Sequence, residues 1–90
     1  MASLVQMDTA LGFQTADTFN SASDEVQGIV NRINSQIEQL DSTWKGTSEA
    51  RFMGEYAAWR NNMTQFVQLL RDISTRIRKE TQEIVDADNA

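Results

Sequence analysis

Two apolar stripes at helical spacing, separated by one short break, constrain this chain more than any other feature of its sequence. In the second half Phe52, Tyr56, Trp59, Met63, Phe66, Leu70, Ile73, Ile77 and Ile84 recur at steps of three or four, then seven, with Glu80 in the slot that the last step skips. This is a heptad pattern, which belongs to a long amphipathic helix. In the first half Ala22, Val26, Ile29, Ile33, Ile37, Leu40 and Trp44 follow at the same kind of spacing. No alternating run rich in Val, Ile, Thr and aromatics is long enough to read as a strand. Proline, which breaks helix interiors, is absent. The chain therefore reads as all-α, an antiparallel helix-turn-helix hairpin.

The ends of the helices follow from capping chemistry. Asp8 is the favoured N-cap of the first helix, with Leu11 opening its apolar face, and Asp17 is the later candidate. The helix is expected over about residues 8–41. Residues 42–46, Ser42-Thr43-Trp44-Lys45-Gly46, supply the turn, where Gly46 can take a positive φ and end the first helix. The second helix is expected over about 47–85, with Gly46 or Thr47 as N-cap and Glu49 in its first turn. Arg76, Arg78 and Lys79 fall towards its far end, where cations are favoured. The polar tail 86–90 is expected to fray. Gly28, inside the first helix, either lets another helix approach or is a tolerated surface residue. So short a connection makes the helices antiparallel, and the whole is one domain, 1–90, a rod roughly 45–60 Å long.

A hairpin of this size needs help to be stable. Ninety residues bury a small share of their surface. There is no Cys for a disulfide and no His for a transition metal, so association is the remedy left. The apolar faces point the same way, because Phe52, Met53, Tyr56, Ala57 and Trp59 span two adjacent faces within two turns. That width suits a helix touching two others. The chain is thus expected to dimerise into a four-helix bundle. The expected bundle core is Val26, Ile29, Ile33, Ile37, Leu40, Phe52, Tyr56, Trp59, Met63, Phe66, Leu70, Ile73 and Ile77. Trp44 is expected to cover the open end of that bundle.

Function classes narrow by elimination. The net charge is −5, and residues 1–44 carry six acids against Arg32 alone, which argues against nucleic acid. The one basic cluster, Arg76, Arg78 and Lys79, is followed at once by acids and reads as a solvated face. Without His or Cys, and with its four glycines isolated, the chain offers no catalytic site, cofactor site or phosphate loop. No run approaches the roughly 18 apolar residues of a membrane span, and Met1 to Leu11 lacks the basic region of a Sec-type signal peptide. These features alone describe a cytosolic helical adaptor or chaperone.

The centre of the chain changes that reading. Trp44-Lys45-Gly46, followed by Thr47-Ser48-Glu49-Ala50, lies between two amphipathic helices, with Phe52, Tyr56 and Trp59 in phase behind it. In these residues the chain resembles the WXG family of small type VII secretion substrates, the relatives of the early secreted antigenic target. The resemblance implies hairpins that pair as homodimers or heterodimers. It implies folded export, without a cleaved signal peptide, through a membrane machine driven by an FtsK/SpoIIIE-type ATPase. It places Trp44, Lys45 and Gly46 in export recognition, and implies either a secreted substrate or the export partner of a related protein. Many family pairs also carry a Tyr-Xaa-Xaa-Xaa-Asp/Glu signal after the second helix. Here the one tyrosine is Tyr56, four residues before Arg60, so that element is missing from this chain.

Overall fold

The computed structural model describes residues 6–89; the remaining positions, Ala90 of the expected tail among them, lie outside the described residues. Two antiparallel helices make up the fold, α1 (Thr9–Thr43) and α2 (Thr47–Asn89). Asp8 is the N-cap of α1, and its side chain accepts the Leu11 N–H at 3.0 Å. An N-cap carboxylate in this position satisfies one of the helix's four orphan donors. The rod is 70 Å long and only 17 × 14 Å in section. It exceeds the expected 45–60 Å because both helices outrun their expected ends.

The extension is largest in α2. Asp86 to Asn89 are helical where a frayed tail was expected. A side-chain bond one turn apart, from Gln82 Nε2 to Asp86 Oδ1 at 2.9 Å, supports this last stretch. Arg76, Arg78 and Lys79 are consequently about ten residues inside the helix, and its last turn carries no basic residue. Arg78 is engaged across the hairpin instead. Its guanidinium pairs with Asp17 and lies 5.7 Å from the centre of the Phe13 ring.

The turn also differs from expectation in one respect. α1 ends at Thr43, and Trp44 leaves it in an extended conformation, φ −101° and ψ 122°, with its N–H donating to Asp41 O at 3.3 Å. Gly46, at φ +119°, stands at the start of α2 and does not end α1. Its carbonyl accepts the Ala50 N–H at 3.4 Å, the first bond of the second helix. Reversing the chain in three residues needs one residue at a φ that L side chains rarely adopt, and glycine fills it.

The seam between the helices is narrow and built from small residues. Gly12, Ala16, Ser23 and Val30 are buried on α1, and Tyr56, Val67, Ser74 and Thr81 on α2. Ser74 Oγ donates to the Ala16 carbonyl at 2.6 Å within the buried seam. Thr81 sits directly on Gly12, where an added Cβ would lie 2.8 Å from Met7 Sδ and 2.9 Å from Thr81 Cγ2. Small facing residues let two helix backbones approach closely, so dispersion contacts replace bulk at this contact. Gly28, by contrast, has nothing within 4 Å of an added Cβ, and within the hairpin no helix approaches it.

Candidate interaction face and turn

The large apolar residues lie beside the seam, not in it. Of the thirteen residues expected in a bundle core, Tyr56 alone is buried within the hairpin. Val26, Ile37, Phe52, Met63, Leu70, Ile73 and Ile77 are half-buried, and Ile29, Ile33, Leu40, Trp59 and Phe66 are exposed. Trp59 and Phe66 keep about half of their surface open, at 50% and 49%. The seam residues outside that set are Val30 and Val67, which are apolar, and Gly12, Ala16, Ser23, Ser74 and Thr81, whose size and polarity give no hydropathy signal.

Helical geometry places the exposed residues on one side. Successive residues of an α-helix are turned about 100° apart. Stepping one place forward from the seam reaches Asp17 and Asp24 on α1, and these meet Arg78 and Arg71 of α2. Asp17 pairs with Arg78, and Arg71 Nη2 is 3.6 Å from Asp24 Oδ1. This is the polar side. Stepping one place back reaches Ala22 and Ile29 on α1, and Phe66 and Ile73 on α2. Because the helices are antiparallel, the same offset points to the same side on both. Ile29, Ile33, Leu40, Trp59 and Phe66, flanked by Val26, Met63 and Leu70, therefore form one continuous apolar face opposite the ion pairs. Contiguous exposed apolar faces of this kind mark interaction surfaces.

The polar side carries a shallow groove of about 440 Å³ between the helices near the turn. Ile37, Met53, Tyr56 and Ala57 make its apolar part, with Asn34, Glu38, Arg60, Asn61 and Thr64 around them. The Tyr56 hydroxyl donates to Asn34 Oδ1 there and ties α2 to α1. No group of three or more His, Cys, Asp and Glu that could hold a metal ion occurs among the described residues. No described helix is long and apolar enough to cross a membrane.

Aromatic packing braces the turn. The Trp44 ring centre is 5.4 Å from that of Phe52, which is 6.2 Å from Tyr56 and 6.0 Å from Trp59. These separations fall in the range of favourable aromatic pairs. Trp44 is half-buried against α2, so part of its ring stays open at the end of the rod. Beneath the turn, Asp41 Oδ1 is enclosed without a hydrogen-bond donor. The Glu49 carboxyl lies beside it. A hydrogen bond with Asp41 holds Glu49 above its ordinary value of 4.5, helped by desolvation and by the charge on Asp41, while Lys45 opposes the shift. A proton on Glu49 would give Asp41 Oδ1 the donor that it lacks.

The geometry has counterparts among known proteins. The chain is 28% identical over 92 residues to protein YukE of Bacillus subtilis, an alignment covering all of this chain and 95% of that one. It is 27% identical over 78 residues to an ESAT-6-like protein of Streptococcus agalactiae, covering 84% and 81%. The crystal structure of the secreted protein EsxB of Bacillus anthracis superposes with a TM-score of 0.82 at 27% identity, over 98% of this chain and 99% of that one. EsxA of Geobacillus thermodenitrificans shares the fold at a TM-score of 0.80 and 20% identity, over 99% and 96%. The model of the family described as proteins of 100 residues with WXG matches residues 5–89, and the chain belongs to that family, WXG100.

Proposed function

We propose that this chain is a small non-enzymatic protein exported folded, as one half of a paired helical bundle, by a type VII secretion machine driven by an FtsK/SpoIIIE-type ATPase. It serves there as a secreted substrate or as the export partner of a related protein, and resides in the cytoplasm before export without a cleaved signal peptide. The observation that carries this reading is the pairing of two features on one rigid rod. One is the apolar face of Ile29, Ile33, Trp59 and Phe66, which the hairpin does not cover. The other is the aromatic-braced turn at Trp44, Lys45 and Gly46, which stands clear at the end of the rod. A similar hairpin, EsxB of Bacillus anthracis, is a secreted protein. Covering the face with a like hairpin completes a four-helix bundle whose core includes the thirteen residues named above. The turn is then the part of each half left for the machine to read, with Trp44, Lys45 and Gly46 as the recognition residues.

Deleting the ATPase gene in the source organism tests the export step. The chain is expected to disappear from the culture medium and to persist in cells. If it is never found outside the cell, or if its release does not depend on the ATPase, the protein is a helical adaptor or chaperone that uses the same face to hold a client.

A further inference from the structure

We propose that Met7 is a peroxide-sensitive latch on the open end of the hairpin: as a thioether it holds the entry to α1 against α2, and as a sulfoxide it lets go. The inference does not rest on the export reading, because it concerns the end of the rod away from the turn and needs no second chain. The latch follows from one missing side chain. Met7 stands one place before the N-cap Asp8. An apolar residue there commonly packs on the residue four places into the helix and fixes the angle at which the chain enters it. Here that residue is Gly12, which has no side chain to offer. The thioether takes the room instead, with its sulfur 2.8 Å from where a Cβ on Gly12 would stand. It also reaches across to α2, where Thr81 Oγ1 lies 3.3 Å from the sulfur. Thr81 is fully enclosed, and Met7 is among the side chains that cover it. An unbranched, polarisable side chain suits an irregular gap of this kind. Met7 thus closes a contact between residues 74 places apart, at the point where the Leu11 and Gly12 N–H groups bond to Asp8 and begin the helix.

The same side chain is open to attack. Met7 keeps 39% of its surface exposed, whereas Met53 in the groove and Met63 on the apolar face are half-buried. Hydrogen peroxide oxidises a thioether in one two-electron step. A sulfur lone pair attacks one peroxide oxygen and the O–O bond breaks. That oxygen stays on sulfur as the sulfoxide, and the other leaves as water with both protons. Sulfur is oxidised and the peroxide is reduced. The product is polar and needs a hydrogen-bond donor or water. The seam has no donor to spare for it. The single Thr81 hydroxyl proton goes to the Ile77 carbonyl at 2.7 Å, a stronger acceptor than a thioether sulfur. The nearby Leu11 and Gly12 N–H groups are held by Asp8. With the sulfur wedged between Gly12 and Thr81, the seam also lacks room for a further oxygen. The oxidised side chain therefore turns out to water, and the cover over Thr81 and the entry to α1 loosen together.

Treating the purified full chain with hydrogen peroxide tests this. Peptide mass mapping is expected to find one added oxygen on Met7 before any on Met53 or Met63. Amide exchange at Leu11 and Gly12 is then expected to quicken about fivefold, the scale of one lost packing contact, while exchange at Trp44 and Ala50, at the far end of the rod, stays as it was. Methionine sulfoxide reductases for both epimers are expected to reverse both changes. Met7→Leu keeps an apolar contact without the oxidisable sulfur, and its exchange is expected to ignore peroxide. Met7→Gln, polar and of similar reach, is expected to show the faster exchange with no oxidant present. Oxidation of Met53 or Met63 ahead of Met7 would overturn the proposal. So would unchanged or slower exchange at Leu11 and Gly12 once Met7 carries its oxygen, or an equal response to peroxide in Met7→Leu.

Discussion

The seam and the apolar face divide the labour of folding in opposite ways. The seam is buried and made of small residues, with Ala16, Ser23 and Thr81 fully enclosed. The face is made of large apolar side chains, and Trp59, Phe66 and Ile29 stay about half open. A monomeric globule does the reverse, placing its bulk inside. In this chain the bulk is held back, and the small residues fix how closely and in what register the two helices run. The hairpin thus presents a preformed face whose burial waits for a second body. Covering that face would add hydrophobic stabilisation that the hairpin alone does not have, since this scales with apolar area removed from water.

Charge on the face breaks this division most severely. Phe66→Asp is expected to abolish association, because an unpaired carboxylate buried in a bundle core costs several kcal/mol. Sedimentation reads the loss directly. The seam does not include Phe66, so hairpin contacts such as Ser74 to Ala16 have no cause to change. Thermal stability is still expected to fall and to lose its dependence on protein concentration. A variant that still dimerises would show that the face is not the interface.

The seam fails by the opposite route, through added bulk. Gly12→Val puts two methyls and a Cβ where Thr81 Cγ2 and Met7 Sδ already stand. Overpacking of this kind costs about 1–3 kcal/mol, partly offset by the better helix propensity of the new residue. Denaturant unfolding of the variant, set against Gly28→Val as the control at an open position, isolates the packing cost. Equal losses at the two glycines would mean that the close approach at Gly12 contributes nothing.

The same contrast explains what could be read from the sequence. The large residues recur at three and four, and that pattern is enough for two helices, their antiparallel pairing and the Asp8 cap. Tyr56 is the one stripe residue that is also a seam residue. Apart from Val30 and Val67, the rest of the seam carries its signal in spacing alone. Ala16, Ser23 and Val30 are seven apart, as are Val67, Ser74 and Thr81. Hydropathy ranks serine and threonine as surface residues, so the series is invisible until close backbone approach is allowed as a reason for burial. The polar composition of Asp86 to Asn89 reads as a tail, whereas an i,i+4 side-chain bond and a helix already running carry them along. The Asp41–Glu49 contact spans the turn and has no local pattern at all.

Where seam and turn meet, one hydroxyl joins them. Tyr56 is 7% exposed and donates to Asn34 across the hairpin. Tyr56→Phe keeps the ring against Phe52 and removes the bond, which is expected to cost about 0.5–1.5 kcal/mol. Chemical denaturation measures it, and no change in association is expected, because the hydroxyl is on the groove side.

The smallest expected effect belongs to the turn and is best read through pH. Glu49 binds its proton more tightly in the folded chain than its ordinary value of 4.5, mainly through the hydrogen bond to Asp41. A carboxyl raised on folding stabilises the fold fully below its unfolded value and loses that contribution as pH rises through the folded one. The turn is therefore expected to be tighter in mild acid than at neutral pH, where the charge on Asp41 opposes ionised Glu49 and Lys45 partly compensates. Glu49→Gln gives Asp41 Oδ1 a permanent amide donor and removes the repulsion. It is expected to raise stability at neutral pH, to leave it little changed below pH 4.5, and to flatten the slope between. Amide exchange at Trp44 and Ala50 follows the turn itself, and should slow in the variant at neutral pH if the titration of Glu49 controls it. An unaltered pH slope in the variant would place the titration elsewhere in the chain. The face would not be involved in either case, since Asp41 and Glu49 join the two helices at the end of the rod and not along its apolar side.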